Sequence, residues 1–243
     1  MAVVSVDRPP LNVLDLETLR ELDRALASAA REPSLDVVVL RGAGERAFSA
    51  GVDVRDHVKE KVPEMLETVH GVIRRLWSLP QVTLAAVRGL CLGGGCELAM
   101  ACDLVIASED SVFATPEIDV GCYPPVALAC FSALIGYRRA AEMILTGRRF
   151  SAREAHAMGL VSRVYPPAEL GSGLEALLTE LLEKSSAVLR ITLKGLRELS
   201  QRDFSAALRR AEEIYRDDLL RTRDVEEGVQ AFLEKRKPRW THG

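Results

Sequence analysis

The sequence predicts an α/β fold followed by an all-helical tail, and three observations carry the prediction. Apolar, β-branched runs alternate with amphipathic stripes as far as Val164, which is the rhythm of strand–helix–strand units. The runs Leu35–Leu40 and Val82–Val87 are apolar almost throughout, as strands covered on both faces are. Beyond about Pro166 only helical patterns remain. With the first of those helices counted to the core, the chain divides into residues 1–185 and a helical region, 186–243.

Val3–Val6 reads as the first strand, and Arg8-Pro9-Pro10 breaks it. Leu16, Leu19, Leu22, Leu26 and Ala29 then recur at helical spacing behind Asp15, a residue type suited to an N-cap. Pro33 ends that helix, and Leu35–Leu40 follows as a strand. Leu66, Val69, Ile73, Leu76 and Leu79 mark a second helix over Val62–Leu79, stopped by Pro80. The strand Val82–Val87 leads to a run of helix formers, Glu97 to Ala101. Asp103–Ala107 and Ser111–Ala114 read as short strands, and Val126–Ile135 suits a buried helix. Ser151-Ala152-Arg153-Glu154 is a capping box for a helix ending at Gly159. Leu160–Val164 is the last expected strand. The tail offers helices at Leu174–Lys184, Ala187–Leu199, Phe204–Leu220 and Val225–Lys235. Four helices are more than one sheet needs, so part of the tail is expected to pack on another subunit.

A net charge of −3 gives no general attraction to nucleic acid or anionic membrane. No apolar run is long enough to cross a bilayer, and the chain opens directly on a strand with no signal peptide. Cys91, Cys96, Cys102, Cys122 and Cys130 are odd in number, lie in apolar stretches and form no CxxC pair. They read as reduced structural thiols of a cytoplasmic protein. The histidines, His57, His70, His156 and His242, form no ligand set, so no metal is expected.

The most informative stretch is Gly89 to Met100, Gly-Leu-Cys-Leu-Gly-Gly-Gly-Cys-Glu-Leu-Ala-Met. Three successive glycines stand between a strand and a helix, where a backbone without Cβ atoms lets another molecule come close. The first N–H groups of a helix lack internal partners and suit an anion or a developing oxyanion. Glu97 enters that helix among apolar neighbours. Taken alone, the stretch leaves a tightly packed structural turn with Glu97 facing solvent as an equal reading. A second carboxylate, Glu117, stands at a strand end beside the stiff Tyr123-Pro124-Pro125 loop. Two other patterns fail on context. Gly42-x-Gly44-x-x-Ala47 opens no helix, as a dinucleotide fingerprint would. Ala47-x-Ser49-x-Gly51 lacks the first glycine and the placed histidine of a nucleophile elbow.

With both carboxylates in view, the chain resembles the crotonase (enoyl-CoA hydratase/isomerase) superfamily. Phe48-Ser49-Ala50-Gly51-Val52-Asp53 looks like that family's first oxyanion segment, and Gly89–Asp103 like its second. Pro116-Glu117-Ile118 with Gly121, Leu145-Thr146-Gly147, Ala155–Val161 and Ala231–Arg236 resemble later segments, in the family's order and spacing. The resemblance implies a crotonase-like spiral of ββα units with a C-terminal all-helical trimerisation region, forming trimers or hexamers. It implies an acyl-CoA thioester substrate, with coenzyme A part of the substrate and no separate cofactor. It puts the oxyanion hole at the backbone N–H groups of Val52 and Gly94, and the acid/base pair at Glu97 (water activation) and Glu117 (proton donation). Neighbouring Ala50, Asp53 and Gly93 fall in the same binding segments. Arg55, Phe232 and Lys235 match positions that reach the CoA nucleotide.

The main departure is Cys122-Tyr123-Pro124-Pro125-Val126-Ala127, where short-chain hydratases have a Gly-Ala-Gly-Gly-Thr-like loop. The family's acyl pocket is lined here, so Tyr123, Pro124 and Pro125 point to a different acyl group. Their form looks most like the cyclohexa-1,5-dienecarboxyl-CoA hydratases. Dienoyl-CoA isomerases carry an aspartate eight residues after the second acid, and here that place is Pro125. The resemblance therefore implies a hydratase acting on an enoyl-CoA or cyclic dienoyl-CoA. A thioester hydrolase or isomerase on the same scaffold, and an acyl-CoA-binding scaffold without turnover, stand as alternatives.

Overall fold

The computed structural model describes residues 1–200, 204–217 and 219–239, so His242 and the Asp218 position of the expected Phe204–Leu220 helix lie outside the described residues. The strands are β1 (Ala2–Val6), β2 (Val37–Gly42), β3 (Ala47–Ser49), β4 (Val82–Val87), β5 (Leu90–Leu92), β6 (Leu104–Ser108), β7 (Val112–Ala114), β8 (Phe150–Ser151) and β9 (Arg163–Tyr165). The helices are α1 (Leu16–Ala30), α2 (Val62–Ser78), α3 (Gly94–Met100), α4 (Pro125–Ile135), α5 (Tyr137–Thr146), α6 (Ala152–Met158), α7 (Leu170–Leu182), α8 (Ser186–Ser200), α9 (Phe204–Asp217) and α10 (Arg223–Leu233). Short 3₁₀ turns cover Val54–Asp56, Pro116–Val120 and Leu219–Arg221.

The strands form two sheets, and the way the chain visits them makes the spiral. One sheet runs β1-β2-β4-β6-β9, all parallel; the other runs β3-β5-β7-β8, parallel except for the β7/β8 pair. Each turn gives one strand to the first sheet and the next to the second: β2 then β3, β4 then β5, β6 then β7. Helices α2, α3 and α4 close those turns. Parallel neighbours need such crossovers, and the one-turn advance stacks corresponding loops at one end of the molecule. Those loops carry the site.

Local chemistry explains where the helices begin. Asp15 caps α1, its carboxylate accepting the Thr18 N–H at 2.9 Å. Both halves of the Ser151/Glu154 capping box are formed at α6. Leu19, Leu22, Leu26 and Ala29 of α1 are buried, as are Leu66, Val69, Ile73 and Leu76 of α2, so the two stripes do face the core.

The tail wraps its own core in two ways. Leu177 and Leu178 of α7 and Leu193 of α8 pack on Val37, Val39, Val82, Leu84, Ala86 and Ile106, covering the outer face of the five-stranded sheet. Arg197 of α8 is locked beneath it, donating to both Asp103 carboxylate oxygens at 2.9 and 2.6 Å and to the carbonyls of Trp77 and Leu79. Helices α9 and α10 turn back over the other side, α9 against α4 and α10 against the Pro116–Val120 turn. Val188, Ile191 and Leu196 of α8 stay exposed.

Candidate active site

The three glycines at the start of α3 serve three different neighbours. A Cβ at Gly93 would stand 2.6 Å from Glu117 Oε1. At Gly94 it would stand 2.6 Å from the Val52 side chain, and at Gly95 2.7 Å from Ser49 Cβ. Gly93 has φ 52° and ψ −129°, a backbone state that favours glycine. The turn is glycine-rich because the β3 segment and a carboxylate both press on it. This close packing sets the main chain of Val52 beside that of Gly94. Neither amide N–H is engaged by a backbone acceptor among the described residues, and Gly94 opens α3 at its positive end.

Glu97 is 3% exposed, which rules out the solvent-facing reading. Every residue of α3 is buried, so its carboxylate needs a protein partner. It finds one across the core, where Glu97 Oε1 accepts the Ala127 N–H at 2.9 Å. The Tyr-Pro-Pro-Val-Ala sequence makes this possible. Pro124 and Pro125 start α4 without donors of their own. The first free N–H groups are then those of Val126 and Ala127, which both draw the Glu97 carboxyl down. Burial outweighs them, and Glu97 is pushed up to about 7.

Glu117 has less help, only its own backbone N–H drawing its carboxyl down. Its Oε2 is buried without a hydrogen-bond partner, and burial followed by the charge of Glu97 pushes its carboxyl well above the ordinary range. The turn that carries it is braced from behind by α10. A Cβ at Gly228 would stand 2.4 Å from the Val120 carbonyl, and one at Gly121 2.7 Å from the Asp224 carbonyl. Glycine at both positions lets helix and turn meet backbone to backbone. The tail helix therefore helps to position the second acid.

Both glutamates open on a cavity of about 370 Å³. Ala50, Val52, Gly93, Gly94, Tyr123, Pro124, Pro125 and Phe232, all expected from the sequence, line it with them. Asp53, Arg55 and Lys235 do not. The Arg55 guanidinium is bound to the Asp53 carboxylate, with contacts of 2.5 to 3.1 Å. Lys235 has φ 54° just past α10, and that turn brings Arg236 to the cavity instead. Tyr123 lends its ring; its hydroxyl donates to the Ala211 carbonyl at 2.6 Å.

Sequence reasoning missed His57, Met65, His70 and Tyr215, which also line the cavity. Met65 and His70 belong to the helix read as a core stripe, since one apolar face of α2 serves both core and cavity. Tyr215 reaches in from α9 and gave no signal, because its place depends on how the tail folds back. His57 is half-buried with Nδ1 3.1 Å from the Asp53 carbonyl, and burial draws its pKa down.

Among the described residues, no group of three or more His, Cys, Asp or Glu side chains is gathered as a metal site would require. No helix of the described residues is long and apolar enough to cross a membrane. The arrangement has two unengaged amide donors at one end of a largely apolar cavity and two carboxyl groups of unequal proton affinity beside them. It can bind an oxygen that gains charge while protons move at adjacent atoms.

The family model described as enoyl-CoA hydratase/isomerase matches residues 1–243. A short-chain-enoyl-CoA hydratase of Clostridium acetobutylicum is 33% identical over 248 residues, covering 98% of this chain and 92% of its own. A cyclohexa-1,5-dienecarbonyl-CoA hydratase of Thauera aromatica is 31% identical over 233 residues, covering 96% and 90%. The crystal structure of an enoyl-CoA hydratase from Mycobacterium avium subsp. paratuberculosis superposes with a TM-score of 0.88 at 31% identity, covering 98% of this chain and 95% of that one.

Proposed function

Because this chain belongs to the enoyl-CoA hydratase/isomerase family, the crotonase superfamily, we propose that it adds water across the 2,3 double bond of an enoyl-CoA or cyclic dienoyl-CoA thioester. The observation that carries the reading is the pairing of Glu97 and Glu117 in one cavity with the free amides of Val52 and Gly94. The thioester oxygen accepts from both amides. Water held by the carboxyl pair attacks C3 and gives a proton to Glu97. The C=C electrons move through C2 onto the thioester oxygen, so the two N–H groups bind an enolate. As the enolate collapses, C2 takes a proton from Glu117. Water is thereby consumed as OH at C3 and H at C2, and proton exchange between the two carboxyl groups restores the start.

Unequal environments support this division of roles. Glu97, held by α4 amides, gives up its proton first and is the base. Glu117, with a bare Oε2, keeps its proton and is the acid. The pair titrates together, so kcat/KM rises through about pH 7 as the base ionises and falls at the higher value where the acid does. The Tyr123-Pro124-Pro125 wall of the cavity resembles that of cyclohexa-1,5-dienecarboxyl-CoA hydratases, and this likeness, with the 31% identical relative of that name, supports a cyclic acyl group. The exposed apolar residues of α8 are consistent with assembly into a trimer or dimer of trimers.

The test is a panel of linear, cyclic monoenoyl- and cyclic dienoyl-CoA thioesters, with products identified by mass. Addition of one water with CoA retained is the expected outcome. Release of free thiol instead marks a thioester hydrolase, and intact binding without turnover across the panel marks a scaffold; either overturns the reading.

A further inference from the structure

The cavity is not apolar to its end. His70 is 1% exposed and lines the cavity from α2, yet the hydration chemistry gives it no task. Its Nδ1 lies 2.6 Å from Glu212 Oε1 on α9, and Arg74 donates to the same oxygen at 2.6 Å. Glu212, drawn below its ordinary range chiefly by His70, is a carboxylate and can only accept, so the proton of that contact sits on Nδ1. Nε2 is then the ring nitrogen left over, and no polar atom of the described residues engages it. One turn further along α9, Tyr215 also lines the cavity, 1% exposed, and its buried hydroxyl oxygen has only the weakly bonding Cys122 thiol beside it. Its ring stands edge-on to Tyr123 at 5.1 Å.

Two buried polar side chains on the cavity wall with spare hydrogen-bonding capacity, one of them a hydroxyl just behind that wall, are costly in an apolar surrounding unless a ligand satisfies them. Here both depend on one helix, since Glu212 fixes the histidine and Tyr215 stands three residues later. A neutral imidazole offers a lone pair at Nε2, an imidazolium offers N–H, and a phenol both donates and accepts. The neutral substituent that answers each of these states is a hydroxyl.

Resting on the hydratase reading above, we infer that the acyl group this enzyme prefers carries a hydroxyl substituent, hydrogen-bonded by His70 and assisted by Tyr215 at the α9 side of the cavity. The two residues then determine specificity and take no part in the proton transfers.

The experiment compares matched pairs of 2-enoyl-CoA thioesters of graded length, identical except that a hydroxyl replaces a methyl at the acyl end. The wild-type enzyme is expected to favour the hydroxylated member of the best pair by at least ~10-fold in kcat/KM, since a site built around a hydroxyl rejects the analogue that lacks it. His70→Phe and, separately, Tyr215→Phe should bring that ratio towards one, whatever happens to the absolute rates, and His70→Gln should restore part of it. A purely structural His70–Glu212 lock would lower both members of a pair alike and leave the ratio unchanged, which would overturn the inference. So would a wild-type ratio of one or less at every chain length, a result that needs no variant to fold. Hydration of the methyl members alone would sink the hydroxyl preference while leaving the hydratase reading intact. Hydration of no thioester at all would sink the hydratase reading itself.

Discussion

Glu97 and Glu117 stand on either side of one cavity and differ in what each carboxylate can hold on to. The Glu97 side is closed by the first turn of α4, where Ala127 and Val126 supply amide donors that favour the charged form. The Glu117 side is a 3₁₀ turn leaning on Gly93, where Oε2 has no donor and the nearby Glu97 opposes ionisation. Identical side chains, Glu97 buried and Glu117 half-buried, are thus suited to opposite roles in the proposed hydration according to how many donors face the charge. The lesson concerns partners as well as burial. Desolvation raises both carboxyl groups, and the amides decide which of them lets go first.

The comparison breaks most visibly when either carboxyl group is lost. Glu97→Gln and Glu117→Gln are each expected to lower kcat by about 10²–10⁴, the range for a positioned acid or base, in steady-state assays on the best thioester. The double variant should fall little further than the worse single one, because the pair acts as a unit. Full turnover in either single variant would remove the pair from the mechanism.

Gly93→Ala attacks the Glu117 side alone. The new Cβ would lie 2.6 Å from Glu117 Oε1, and the φ 52° backbone would add strain of order 1–3 kcal/mol. A fall of roughly 10²-fold in kcat, from misplacing the acid, is expected beside a lower Tm. Wild-type kcat in a folded Gly93→Ala enzyme would mean that Glu117 need not rest on that glycine.

The two sides also differ in what they cost the fold as pH changes. Both folded-state values lie above the ordinary glutamate value, so stability is fully present below about pH 4.5 and declines as pH rises through the folded values. The Glu97 share of that loss falls between about 4.5 and about 7, and the Glu117 share extends higher. Glu117→Gln should therefore raise Tm relative to wild type at alkaline pH and change it little at pH 5. Each kcal/mol regained corresponds to about 2–4 °C. Equal Tm values across the range would deny the burial penalty.

The smallest effect is expected at Arg55, exposed and tied to Asp53 outside the cavity. Arg55→Ala should raise KM a few-fold with kcat unchanged, and less so at high salt. A kcat effect there would extend the site beyond the two carboxylates.

Much of this was legible in the sequence wherever the cause is local. Asp15 before α1, the Ser151/Glu154 box and the β-branched runs of β2 and β4 declare themselves within a few residues. The glycines of Gly93–Gly95 announced a close approach, though not that each would serve a different neighbour. Strands β3, β5 and β8 span three, three and two residues, too short for any period to register. Helix α5 was overlooked because its buried Ala140, Met143 and Ile144 stand among charged residues right behind Gly136. The Glu97–Ala127 contact and the Glu212 partner of His70 lie 30 and 142 residues apart. Pairings of that range are fixed by the spiral and the returning tail, and no stretch of sequence contains them. The same cause hid Arg236 behind Lys235, since the turn after α10 selects which basic residue faces inward.

The claim on which the account turns is that one carboxyl group of the pair keeps its proton when the other has lost it, and that the keeper is Glu117. Infrared difference spectroscopy of the resting enzyme at pH 8, read in the protonated-carboxyl region, tests this directly. The account predicts a protonated-carboxyl band in the wild type that vanishes in Glu117→Gln and is weakened but not abolished in Glu97→Gln, where burial still opposes ionisation and the neighbouring charge is gone. Absence of the band in the wild type, or its loss in Glu97→Gln with retention in Glu117→Gln, would contradict it.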